Sequence, residues 1–278
     1  MTTPPTVAEQ EPGNGAERRQ VTIRQLLMAE WAKLFTLRST TFTFLTALAL
    51  GTGLGLLFSA SGAREFRAAS AAAQQDFDPV ASSLGSYIFA QLAFAAVGVS
   101  VFASEYATGT ISTSLTSVPQ RGRLMAAKII AFATAALAVG QVIGFLSFLG
   151  GQMILSSKHV PHASLGEPLV LRAVAGCGLY LAAVGLLGLA FGALVRSATL
   201  GLVLVTVVTL VIPTLSNTLP HAWEAWLQKW WPPNAAAQVM AIKQPADALG
   251  PWGGLLLLLL LVGAALVAAA VAFRTRDA

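Results

Sequence analysis

Along this chain the polar positions are gathered into short stretches, and between them lie six runs free of Lys, Arg, Asp and Glu, near 40–60, 84–103, 129–155, 173–195, 197–219 and 252–273. Each run is long enough for the roughly 20 residues that cross a bilayer as a helix. Backbone groups in lipid must be hydrogen-bonded internally, so a spanning segment is a helix or a barrel strand. Barrel strands alternate apolar and polar residues, which these continuous runs do not. The pattern therefore predicts an all-α integral membrane protein with six transmembrane helices. The fourth and fifth runs are separated by little more than Arg196, which reads as a tight helical hairpin.

A different period precedes the first run. From Ile23 to Leu37 the apolar residues Ile23, Leu26, Leu27, Trp31, Leu34 and Phe35 recur at helical spacing, with Gln25, Lys33 and Thr36 opposite. This predicts an amphipathic interfacial helix over 23–38, with Trp31 at headgroup depth. Glu30 falls on the apolar arc, an awkward place for a carboxylate. Either it meets the basic end of a neighbouring segment, or it snorkels sideways to the headgroups. Residues 1–22, with Pro4, Pro5, Pro12, Gly13 and Gly15 among polar neighbours, read as a disordered tail. The transmembrane domain is then 39–278.

Composition agrees with the pattern. Of the 278 residues 55% are hydrophobic and 10% charged, far below the charged fraction of about 25% in soluble domains. With the N-terminus inside, 11 of the 17 Lys and Arg fall on the cytoplasmic side and 6 outside, while the acids divide six and six. The positive-inside rule then puts both termini in the cytoplasm. The net charge of +5 reports topology, since the basic groups are dispersed over loops and form no face for nucleic acid. The first apolar run exceeds the 7 to 15 residues of a signal-peptide core, which argues against cleavage, although Ser59 to Ala63 has the small residues of a cleavage site.

The densest polar interruption is Ser104 to Lys128, which sets Glu105, Tyr106, Gly109, Thr110, Pro119, Arg121, Arg123 and Lys128 between the second and third runs. Glu105-Tyr106, Gly109-Thr110-Ile111, Pro119-x-Arg121 and Lys128 resemble the cytoplasmic segment between the second and third spans of ABC-2 type transporter permeases. Glu30-Trp31-x-Lys33-Leu34 and Arg38-Ser39 add to the resemblance. It implies a six-helix permease subunit in a bacterial plasma membrane, paired with a second copy or a related permease and with separate ABC ATP-binding subunits. Glu30, Lys33, Arg38, Glu105, Tyr106, Gly109, Thr110, Arg121 and Lys128 would then be the residues coupled to the ATPase. Gly109-Thr110 suits a backbone turn and a helix cap. The plainer reading of Glu105, an ordinary charged helix end, stays open.

Between the fifth and sixth runs lie Trp223, Trp226, Trp230 and Trp231, followed by Pro232-Pro233-Asn234. The first three share one face of a helix, and the four together are expected to form either an anchor in the outer headgroup layer or a substrate gate. Pairs of small residues four apart, Gly51/Gly55, Gly140/Gly144 and Gly188/Gly192, are helix-packing signals.

Several chemistries lack their residues. No G-x-x-x-x-G-K-[ST] loop is present, so ATP must be bound by another polypeptide and this chain is expected to need no cofactor and to be no enzyme. His159 and His162 flank Val160-Pro161 with no third ligand nearby in sequence, and Cys177 is the single cysteine. The spans hold only uncharged polar groups such as Gln91, Gln141, Ser147, Gln152 and Thr206. Ion-coupled transport usually places a titrating group there. An ATP-driven exporter of lipid-like or drug-like cargo fits, and a stand-alone membrane binding or immunity protein without an ATPase is the alternative.

Overall fold

The computed structural model describes residues 22–36, 38–107, 121–216, 218–245 and 247–275, and no strand occurs among them. Six helices are long and apolar enough to cross a membrane: Arg38–Ala68, Pro79–Ala103, Gly122–Ser157, Val170–Val195, Ala198–Ser216 and Pro251–Phe273. This is the architecture of a multi-pass membrane protein. The helices outrun the apolar stretches because backbone hydrogen bonding continues past the last lipid-compatible side chain. At 1.5 Å per residue the 31-residue first helix is about 46 Å long, against a hydrocarbon core of about 30 Å. Arg64, Glu65 and Arg67 occupy its surplus turns.

The fourth span is the centre of the bundle. Of its most apolar stretch 72% is buried within the protein, against 22% for the first span, 17% for the fifth and 22% for the sixth. Glycine makes that position accessible. A Cβ on Gly188 would lie 2.6 Å from the Ala95 carbonyl oxygen and one on Gly192 2.5 Å from that of Val99, so the second and fourth helices touch backbone to backbone. The other two pairs pack as well, Gly51 and Gly55 against Ile143 and Ser147, and Gly140 and Gly144 against Gly178 and Val174.

Spans four and five are joined by two residues. Arg196 takes a left-handed conformation (φ 55°) and returns its N–H to the Gly192 carbonyl, and the Ser197 hydroxyl accepts from the Leu200 N–H to start the next helix. The second span begins with a short helix, Pro79–Leu84, capped by the Asp78 carboxylate, which accepts from Val80 and Ala81 at 2.8 and 3.0 Å. Pro79 stands in the first turn, where its missing N–H costs nothing.

The polar side chains inside the spans tie helices together. Gln141 donates to the Ala175 carbonyl at 2.9 Å and Ser147 to that of Gly51 at 3.3 Å. Gln152 donates to Ser83 Oγ at 2.8 Å and to the Pro79 carbonyl at 2.9 Å, and its own oxygen accepts from the Ala163 N–H at 2.8 Å. In lipid an unpaired amide is costly, so these bonds fix one register of packing.

The connection between spans five and six is not all surface. After the helix His221–Trp230, the short helix Pro232–Ala237 returns into the bundle, where Pro233, Ala235, Ala236 and Val239 are buried. Gly176 and Gly254 supply the space, since a Cβ on either would collide with Val239 or with the Ala235 carbonyl. Irregular backbone at membrane depth is tolerated where protein surrounds it.

Candidate functional site

The helix Ile23–Thr36 presents two apolar faces. Leu26, Glu30 and Leu34, spaced by four, are buried against the bundle, while Ile23, Met28, Trp31 and Phe35 remain exposed, with Trp31 and Phe35 stacked at 5.2 Å. The carboxylate of Glu30 is therefore carried into the protein between two leucines. There one oxygen accepts from Lys128 Nζ at 2.9 Å, and the other accepts from Lys33 Nζ at 2.8 Å.

The two lysines are unequal. Lys33 comes from the same helix and its side chain is 42% exposed, whereas that of Lys128 is 1% exposed. Lys128 belongs to the helix Arg121–Ser157, and its ammonium also stands 5.8 Å from the ring centre of Phe102 on the second span. Phe102 in turn meets Phe273 of the last span edge-on at 5.9 Å. Burying an ammonium costs several kcal/mol unless its partner and geometry are good. Here a carboxylate and an aromatic face are both supplied. The result is a charged junction of the leading helix with the second and third spans, backed by the sixth.

Of the other residues singled out at this end, Arg38 is exposed at the first turn of the first span. The backbone at Glu105 and Tyr106 is the last turn of the second-span helix, and Arg121 opens the third. The side chains of those three, and Gly109 and Thr110 entirely, lie outside the described residues. In sequence the segment 104–121 thus begins two residues after Phe102 and ends seven before Lys128, both members of the charged junction. Phe102 was not legible as a member of the site, because one phenylalanine in an apolar run carries no mark. Its place within one helical turn of Glu105 is the signal that existed.

At the opposite end the tryptophans divide. Trp223, Trp226 and Trp230 are 64%, 52% and 47% exposed on one helix, with Lys229 over the Trp230 ring at 5.7 Å. Trp231 is partly buried and points the other way, donating its indole N–H to the Val208 carbonyl at 2.8 Å. The reason lies in the fifth span, which has a π-helical turn over Val207–Val211, where the Ile212 N–H reaches the Val207 carbonyl. In that register the Val208 carbonyl would look to residue 213. Pro213 has no N–H. In the ordinary α register the orphan would be the Thr209 carbonyl, and that oxygen is met by Gln91 Nε2 at 3.4 Å. Gln91 is itself held by the Tyr180 hydroxyl, which donates to its amide oxygen at 2.9 Å.

Among the described residues no group of three or more His, Cys, Asp and Glu is gathered as a metal site would require. No protein-family model matches the chain, and no curated protein matches it.

Proposed function

We propose that this chain is the transmembrane permease subunit of an ATP-driven exporter of the ABC-2 type. It moves a lipid-like or drug-like substrate outward across a bacterial plasma membrane, with ATP bound and hydrolysed on separate subunits and with a second permease copy or a related permease completing the unit. Both termini and the helix Ile23–Thr36 then lie on the cytoplasmic side, where the basic residues are concentrated. The two apolar faces of that helix suit a position between bundle and lipid, with Trp31 and Phe35 outward.

The observation that carries the reading is the Glu30–Lys128 pair at 2.9 Å. An external motor needs a place to push, and a push needs a stiff connection to the spans. The leading helix is fastened through Glu30 to the third helix, and Lys128 rests on Phe102 of the second. A displacement of the segment 104–121 or of the leading helix is therefore passed to two spans at once. The six apolar runs hold no Lys, Arg, Asp or Glu on which an ion could act.

The deciding experiment is purification of the chain from native membranes under mild detergent, with identification of what accompanies it. An ATP-binding subunit in stoichiometric amount, whose hydrolysis is stimulated by the chain, is the expected result. A chain that co-purifies with no ATPase and whose deletion leaves export intact would overturn the proposal.

A further inference from the structure

Above the π turn lies a cavity of about 260 Å³. It is walled by the start of the second-span helix, the middle of the fourth span, the π turn and the re-entrant helix Pro232–Ala237. At roughly 30 Å³ per water it has room for about eight or nine water-sized groups. Its walls carry Tyr87, Gln91, Tyr180, Thr209, Thr214, Gln228 and Asn234, of which Gln228 donates to Ser216 Oγ at 3.3 Å, and no Asp, Glu, Lys, Arg or His among the described residues.

Some of these polar groups are committed to one another, as the Tyr180, Gln91 and Thr209 chain shows. Thr209 returns its hydroxyl to the Val205 carbonyl at 2.8 Å, and Asn234 donates its amide to the Leu227 carbonyl at 3.3 Å. Others are not. Among the described residues the hydroxyls of Tyr87 and Thr214 have no hydrogen-bond partner, and the Asn234 side-chain oxygen accepts from none. Thr214 is exposed and Ile88, also in the cavity wall, is 38% exposed, so the mouth opens at the surface of the bundle.

We infer that this cavity binds the head of an uncharged, hydroxyl-bearing amphiphile that enters sideways from the membrane, its hydrocarbon chain remaining in lipid. Two free hydroxyls each donate and accept, and an amide oxygen accepts. A polyol head answers all three. An ionised head would lose its water with no opposite charge to meet, at a cost of several kcal/mol. That the bound molecule is cargo rests on the permease reading, which puts this cavity in the outer half of the bilayer; the binding itself does not.

The test uses the purified full chain in phosphatidylcholine nanodiscs, without any ATPase, and three photoreactive probes of equal chain length: a monoacylglycerol, a lysophosphatidate and an alkyl trimethylammonium. The monoacylglycerol is expected to label the segments around Tyr87 and Thr214 saturably, in competition with unlabelled monoacylglycerol, and the two charged probes are not. Tyr87→Phe combined with Thr214→Val should weaken this labelling about tenfold, as expected for two lost hydrogen bonds. Labelling of equal strength by all three probes, adducts spread evenly over the lipid-facing helices, or no saturable labelling would overturn the inference. The probe comparison on the unaltered chain decides the matter even where the double variant folds poorly. Absence of an ATPase partner would defeat the permease reading and leave this result standing, and failure of the labelling leaves partner co-purification untouched.

Discussion

Glu30 and Lys128 stand 98 residues apart in the chain and 2.9 Å apart in the fold, both withdrawn from solvent. Neither residue has a reason to be buried alone. Removing one member of a buried pair takes a charge-assisted bond from the other, while replacing both by apolar groups is often neutral or stabilising.

Glu30→Ala is expected to destabilise the purified protein by about 1.5 to 3 kcal/mol, because it takes one charge-assisted hydrogen bond from a buried ammonium. Lys33→Ala should cost about 0 to 1 kcal/mol, since Lys33 is half in solvent. Glu30→Leu with Lys128→Met should recover most of the loss. Thermal unfolding followed by size-exclusion chromatography ranks the three, and a double variant no better than Glu30→Ala would show that the charges serve something other than each other.

Coupling makes a separate demand on the same end of the bundle. Glu105→Ala should leave abundance nearly unchanged, because a boundary charge contributes about 0 to 1 kcal/mol, yet export and stimulation of the partner ATPase should fall strongly. Arg121→Ala should act in the same direction and more mildly, with Arg123 two residues on keeping the region basic. Arg64→Ala, exposed at the other end, should change neither. Export assayed at matched protein level decides it, and a loss only in proportion to lost protein would remove Glu105 from the mechanism.

Sidedness is checked by single cysteines. One at Gln120 should react with an impermeant maleimide only in inside-out vesicles, and one at the exposed Ser157 only in intact cells. The native Cys177 is buried and should stay silent in both. The reverse pattern would turn the whole reading over.

Packing of the fourth span predicts a contrast between glycines. Gly188→Leu drives a side chain into the Ala95 backbone and should cost about 1 to 3 kcal/mol or more. Gly263→Ala, where a Cβ meets nothing within 4 Å, should be tolerated or gain up to about 1 kcal/mol of helix propensity. The same melting experiment reads both, and equal behaviour would deny the close approach.

Charge-free length is what made the six spans readable, because Lys, Arg, Asp and Glu are excluded from lipid more strictly than any packing detail is enforced. Glu30 was legible as an anomaly for the same reason. Its partner was not, since nothing local to Lys128 says that a helix 98 residues earlier will lie against it. Nor could the leading helix be oriented from sequence: Leu26 and Leu34 face protein while Ile23, Trp31 and Phe35 do not, and an apolar side chain suits lipid and protein interior alike. Trp231 was grouped with its neighbours on the strength of residue type. The sequence did hold the clue to its different role in Pro213, but only once a π turn sets the count at five residues does that proline orphan Val208.

That indole bond has a mechanical consequence. Val208 lies eight residues before Ser216, about 12 Å down the fifth helix, and its carbonyl receives its hydrogen from a residue that belongs to no span at all. If the segment beginning at Trp231 withdrew from the bundle by even one ångström or two, an oxygen would be left bare in a medium that offers no water, at a cost of several kcal/mol. The fifth helix and the re-entrant segment are thus constrained to travel together as one body, and any motion that opens this end of the protein must take its hinge elsewhere.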